Sequence, residues 1–193
     1  MRIPTSIAAI AGALTLTLAG PAAFAGSEDW TGSALAAQLA DGGHHYSVDY
    51  GGTLYADYGL TLDGVLALDA TGVAKAEGNL AADYVRDHLA DYVGYAPDAY
   101  AGATAKGLVV SRAQRHGNIV GGVNLLTQLQ GLETPSGRFS DKSEWGDYSN
   151  TFSQSFALIA LKKAGVAQSK KSIGFLKLQQ CPNGGFREQE ADI

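Results

Sequence analysis

Two stretches of the chain carry the same alternation of apolar and polar positions. Asp57 to Val73 reads DYGLTLDGVLALDATGV, and Asn150 to Val166 reads NTFSQSFALIALKKAGV. They align without a gap when Gly72 is set on Gly165, which places Leu66 on Ile159, Ala67 on Ala160, Leu68 on Leu161 and Asp63 on Phe156. Asp57 falls on Asn150, and both are good N-caps, because a short side-chain oxygen accepts a free N–H of the first turn. Gly72 and Gly165 stand where a glycine of positive φ ends a helix. Ala105 to Gly117 is a third, weaker copy. The spacing therefore predicts three related helices, each stopped by a glycine.

Helices of a second kind lie between them. Leu125 to Asp141 parallels Phe175 to Gln189, with Leu125-Leu126 on Phe175-Leu176, Gln130 on Gln180, and Gly137 on Gly184 after a three-residue difference in turn length. Residues 81–92 and 34–46 are looser relatives. Two helices in every 45–50 residues is the signature of a helical-hairpin repeat. Phe156 to Leu161, FALIAL, is apolar on every side and predicts a helix buried all round. Ile173 and Leu176 predict one buried stripe on a surface helix whose lysines, Lys170, Lys171 and Lys177, gather elsewhere. Buried helices alternating with half-buried ones fit an inner ring wrapped by an outer one, and equally an open solenoid.

The repeated unit is an apolar pair, a Gln, a short turn and Gly-x-aromatic. It is seen as Phe175-Leu176, Gln180, Gly184 and Phe186, and in degenerate form as Leu125-Leu126, Gln130, Gly137 and Phe139. It resembles the Gln-Trp repeat of squalene and oxidosqualene cyclases and the related repeat of protein prenyltransferase β subunits, with Phe in place of Trp. The resemblance runs from about Ala34 to the end and is nearest to secreted bacterial prenyltransferase/squalene-oxidase-repeat proteins. It implies an all-α chain, an α/α toroid of helical hairpins. Independently of the resemblance, the motif reads as a structural staple: the Gln at the helix end uses its amide on free backbone groups there, the glycines allow a tight reversal, and the aromatic packs over it and holds the next hairpin.

The N-terminus narrows the setting. Arg2, an apolar run from Ile7 to Ala19, Pro21 and then Ala23-Phe24-Ala25 form the three-part pattern of a secretory signal peptide cleaved after Ala25. The run falls short of the ~20 apolar residues of a spanning helix. Residues 26–193 then form the repeat domain, 168 residues with a net charge of −6. That balance argues against nucleic acid as a partner. At 45–50 residues per hairpin the domain holds about half of a six-hairpin ring. The expectation is a missing half-toroid or self-association, with Asp192 as the N-cap of a further inner helix. The lone Cys181 implies a free thiol or a disulfide to a partner outside this sequence.

Candidate chemistry is sparse. The chain has no Asp-Asp pair, so the resemblance does not extend to the Asp-x-Asp-Asp acid of the cyclases, and Cys181 lacks the His and Asp that complete a prenyltransferase zinc site. No cofactor is indicated. His44-His45 diverge, His88 and Asp91 can meet across one helical turn, and Asp141, Glu144 and Asp147 fit no calcium-loop pattern. In a toroid the N-terminal halves of the inner helices line the cavity. The alignment then nominates Tyr58, Thr61 and Leu62 in one repeat and Thr151, Gln154 and Ser155 in the other. Three functions remain open: a terpenoid cyclase/prenyltransferase-like protein, a binding protein for an apolar or cobalamin-like ligand, and a cell-surface interaction scaffold.

Overall fold

A computed structural model describes residues 29–190. The signal-peptide residues 1–25 and the Asp192 cap lie outside them. Eight helices hold 53% of the described residues and strands hold 12%, so the chain is mostly helical. The order is α1 (residues 29–41), β1 (Tyr46–Tyr50), β2 (Thr53–Asp57), α2 (Tyr58–Thr71), α3 (Lys75–Asp87), α4 (Leu89–Val93), α5 (Ala101–Ala113), β3 (Ile119–Val120), β4 (Val123–Asn124), α6 (Leu125–Gln130), α7 (Thr151–Lys163) and α8 (Lys170–Leu178).

The three expected long helices are α2, α5 and α7, and they pack in a row with α5 against both α2 and α7. Asp57 caps α2 by accepting from Leu60 N–H at 2.8 Å. Asn150 caps α7 in a reciprocal capping box with Ser153. Gly72 and Gly165 take positive φ, 72° and 76°, and Val166 N–H closes back on Leu161 O, as helix-ending glycines require. The third helix departs from expectation. Arg115, not Gly117, is the residue that turns α5 off, with φ 64°, while His116 N–H bonds Ser111 O.

Two β-hairpins interrupt the all-α expectation. β1 and β2 pair antiparallel with Tyr50 opposite Thr53, across Gly51 and Gly52, whose φ values of 66° and 89° carry the signs of a type I′ turn. β3 and β4 form a shorter pair. The hairpin 46–57 feeds directly into α2, and Tyr46 packs over Gly64 on that helix.

One core gathers α4, α5, α6 and α7 around Leu108, Leu129, Phe139 and Leu161. A second gathers α1, α2 and α3 around Leu39, Val65 and Val85. Leu66 and Tyr92 touch both and join them. Helix α7 is not buried all round. Ala157, Leu158, Ala160 and Leu161 are buried, but Ile159 is 46% exposed and Phe152 more so. On α8 the buried stripe is Ser172 and Phe175, continued by Gln179 at the C-cap, and it lies one residue out of phase with the expected Ile173 and Leu176.

Candidate functional site

The staples explain how the helices are held. Bridges join Glu133 to Phe139 and Gln180 to Phe186, a constant offset of 47 residues. Thr134 N–H bonds Arg138 O at 2.8 Å, and Cys181 N–H bonds Gly185 O at 2.7 Å, in the same register. Glu133, not Gln130, therefore occupies the place of Gln180, and no turn-length difference exists. Gln130 is exposed. Gln180 is exposed too and donates to Gly184 O at 2.9 Å.

The buried amide of the first staple comes from α7. Gln154 is fully buried, accepts from Phe139 N–H at 2.9 Å, and donates to Gly137 O at 2.9 Å and Ser172 O at 3.0 Å. It ties the turn to both helices of the next hairpin. Gly137 has φ 91° and lies so near α8 that a Cβ would stand 2.3 Å from the Lys171 carbonyl carbon. Phe139 is wholly buried. In the second staple Gly184 has the same φ, 90°, with nothing within 4 Å of a Cβ, and Phe186 is 50% exposed. Cys181 is a free, partly exposed thiol.

The other nominated residues fall in different places. Thr61 is buried, with its hydroxyl donating to Asp57 O and accepting from Tyr46 N–H. Leu62 belongs to the α1–α3 core. Thr151 and Ser155 line a lateral cleft beside the second staple. Tyr58 sits half-buried in a chain of rings: His45 stacks on Tyr84 at 4.2 Å, Tyr84 meets His88 at 4.7 Å, and Tyr58 meets His88 at 5.9 Å and Tyr92 at 6.3 Å. Tyr95 donates to Asp91 and, with lesser bonds from His88 and Tyr58, holds its carboxyl below the usual range against the opposing effect of desolvation. The His88–Asp91 pair is real, 3.6 Å apart, and solvent-exposed.

A groove of about 500 Å³ opens across the N-terminal halves of α2, α5 and α7, lined by Asp63, Tyr92, Gly102, Lys106, Phe152, Ser153 and Phe156. None of the six nominated lining residues faces it. The positions that do include i, i+4 pairs on two successive helices, Gly102 and Lys106 on α5 and Phe152 and Phe156 on α7, with Asp63 on α2. Asp63 and Phe156, aligned in sequence, both line the groove, and one residue along a helix turns a side chain by about 100°.

Lys106 is the hub of this groove. Its Nζ lies 2.8 Å from Asp63 Oδ1, donates to Gly59 O at 3.3 Å, and stands 5.3 Å from the Phe156 ring centroid, within cation–π range. Gly102 admits α7, since a Cβ there would lie 2.7 Å from Ser153 Oγ. Burial, then the Asp63 and Asp57 charges, push the Tyr92 phenol well above its ordinary value and keep it protonated. The arrangement offers aromatic side chains beside one ion pair. Such a surface holds a ligand by apolar contact and orients one polar end.

The acidic loop 138–151 is structural. Asp141 accepts from Ala101 N–H at 2.7 Å, capping α5, and from Tyr148 N–H. Arg138 pairs with Asp147 at 3.0 Å and with Glu190. Burial works against the charge on Asp147, but hydrogen bonds from Ser149 and from Asp141 N–H hold its carboxyl below the ordinary range. Glu190 is raised by burial despite Arg138. Among the described residues no group of three His, Cys, Asp or Glu side chains is placed to hold a metal, and no helix is long and apolar enough to cross a membrane. Comparison with protein families, curated proteins and solved structures finds no match.

Proposed function

We propose that this chain is a secreted helical-hairpin repeat protein of the α/α-toroid type that binds an apolar small molecule in the groove across α2, α5 and α7. The carrying observation is the groove itself. Phe152, Phe156 and Tyr92 wall a space of about 500 Å³ around one ion pair, Lys106 with Asp63, and small-molecule sites are mostly apolar with a few placed polar groups. The staples at 133–139 and 180–186 support the repeat-protein part of the reading, since each is the same turn in the same register. An isoprenoid or a cobalamin-like ligand fits the resemblance. A binding role rests on the groove, whereas terpenoid cyclase chemistry would rest on the resemblance alone.

The test uses protein lacking residues 1–25 and a fluorescent anilinonaphthalene sulfonate dye, titrated and then displaced with farnesol. Saturable binding that Phe156→Ser and Phe152→Ser each weaken at least about tenfold supports the reading. Dye binding that both substitutions leave unchanged places the ligand elsewhere and defeats it. N-terminal sequencing of the exported protein tests the secretory part, with Gly26 expected as the first residue.

A further inference from the structure

The groove across α2, α5 and α7 is lined by one basic side chain, and its donors are already engaged. An ammonium has three N–H groups. Lys106 Nζ has three acceptors for them: Asp63 Oδ1 at 2.8 Å, Asp63 Oδ2 at 2.9 Å and Gly59 O at 3.3 Å. The lysine side chain is only 16% exposed, and the Phe156 ring lies beside it. An anion entering the groove must first draw Lys106 away from Asp63. The helix ends nearby are engaged too. Asp57 accepts from Leu60 N–H at the start of α2, Asp141 from Ala101 N–H at the start of α5, and Asn150 from Phe152 and Ser153 N–H at the start of α7. A carboxylate already sits at two of these three positive ends, which leaves them little attraction for another negative group.

What the groove leaves open is acceptor capacity. The Asp63 side chain is 48% exposed, and each of its oxygens meets only Lys106. A carboxylate has about four acceptor sites, so its free lone pairs face outward. Among the described residues nothing hydrogen-bonds to the Tyr92 hydroxyl, which also lines the groove. Burial first, and then the Asp63 and Asp57 charges, keep that phenol protonated, so its oxygen is neutral and can accept. Phe152 adds a ring that is 63% exposed, and the face of an aromatic ring attracts a cation.

We propose that the groove selects an organic cation, with an apolar tail along Phe152 and Phe156 and a primary ammonium on Asp63 and Tyr92. The inference rests on the reading of the groove as a ligand site and adds the chemistry of the ligand's polar end. The tail removes aromatic surface from water, and the ammonium donates to the lone pairs that Lys106 leaves free. A ligand with the same tail and a carboxylate gains the apolar contact alone and sets its charge against Asp63. Selectivity of this kind comes from the repulsive element as much as from the attractive one.

Isothermal titration of the protein at pH 7 with three probes that share one tail, octylammonium, octanol and octanoate, tests it. Octylammonium is expected to bind at least about tenfold more tightly than octanoate, with octanol between them. Phe156→Ser, and the more exposed Phe152→Ser, are expected to weaken octylammonium and so locate it. Asp63→Asn is expected to abolish the preference or reverse it, because Lys106 is then released to pair with octanoate. Circular dichroism checks that each variant folds. Octanoate bound by the wild type as tightly as octylammonium, and lost in Phe156→Ser, overturns the inference while the groove stands as a ligand site. An ammonium preference that survives Asp63→Asn also overturns it, since the acidic surface as a whole then attracts the cation. Binding of all three probes that neither phenylalanine substitution alters defeats the groove itself as the site.

Discussion

Gln154→Leu should be among the most destabilising single changes in this chain. The side chain is fully buried and spends its whole amide on the backbone, one bond received from Phe139 N–H and two given, to Gly137 O and Ser172 O. Leucine is of similar size, so packing changes little. What changes is that one N–H and two carbonyls lose their partner in a site closed to water. An unsatisfied buried group costs about 1–3 kcal/mol, and a carbonyl with a second lone pair in use costs less. The sum is about 3–5 kcal/mol, a large part of the ~5–15 kcal/mol that holds a typical domain folded. With a urea slope of about 2 kcal/mol per molar, the unfolding midpoint should fall by roughly 1.5–2.5 M. Gln180→Leu is the control. Its amide makes one exposed bond to Gly184 O, and its loss should cost under about 1 kcal/mol. The assay is urea denaturation followed by circular dichroism. Equal midpoints for the two variants would refute the assignment of Gln154 as the buried clasp and return that role to the glutamine at the helix end.

Three more outcomes follow from the same geometry. Gly184→Ala should cost only the strain of a left-handed residue, about 1–2 kcal/mol, while Gly137→Ala must also displace the α8 backbone 2.3 Å away and should lower the melting temperature well beyond it. Arg138→Met strands Asp147 and Glu190 together. Glu190 has a side chain only 3% exposed and a carboxyl already raised by burial, so the loss should be about 3 kcal/mol at pH 7. The sign with pH follows: a carboxyl raised in the fold is a penalty above its unfolded value that disappears as pH falls through the folded value. The melting temperature of Arg138→Met relative to wild type should therefore improve from pH 7 to pH 5, and a deficit that grows over that range would count against the cluster. Lys106→Met should leave stability within about 1 kcal/mol, because Asp63 is half exposed and such pairs contribute little, yet it should change dye affinity in the groove, read by the same fluorescence titration.

The helix ends were legible because their signals are local. Asp57, Asn150, Gly72 and Gly165 act within a turn of themselves, so residue type and spacing suffice to place them. The hairpin 46–57 was also local, with Gly51-Gly52 between two short runs of Tyr, Val and Leu. Its strands are too short for alternation to stand out beside a repeat of helices. Arg115 shows the opposite limit: a long side chain holds the left-handed position that glycine favours, and no pattern marks it.

The sequence by itself determined a repeat of helix pairs, the caps that bound the long helices, and the Gly-x-aromatic turn that recurs after the shorter ones. Those properties are set by the intrinsic preferences of a few neighbouring residues. Tertiary structure alone decided which glutamine clasps the first staple, which face of α2 and α7 meets the groove, and that Ile159 and Phe186 stay uncovered. Each of these depends on what lies across the contact, and a shift of one residue along a helix changes that neighbour while leaving the apolar pattern almost unaltered.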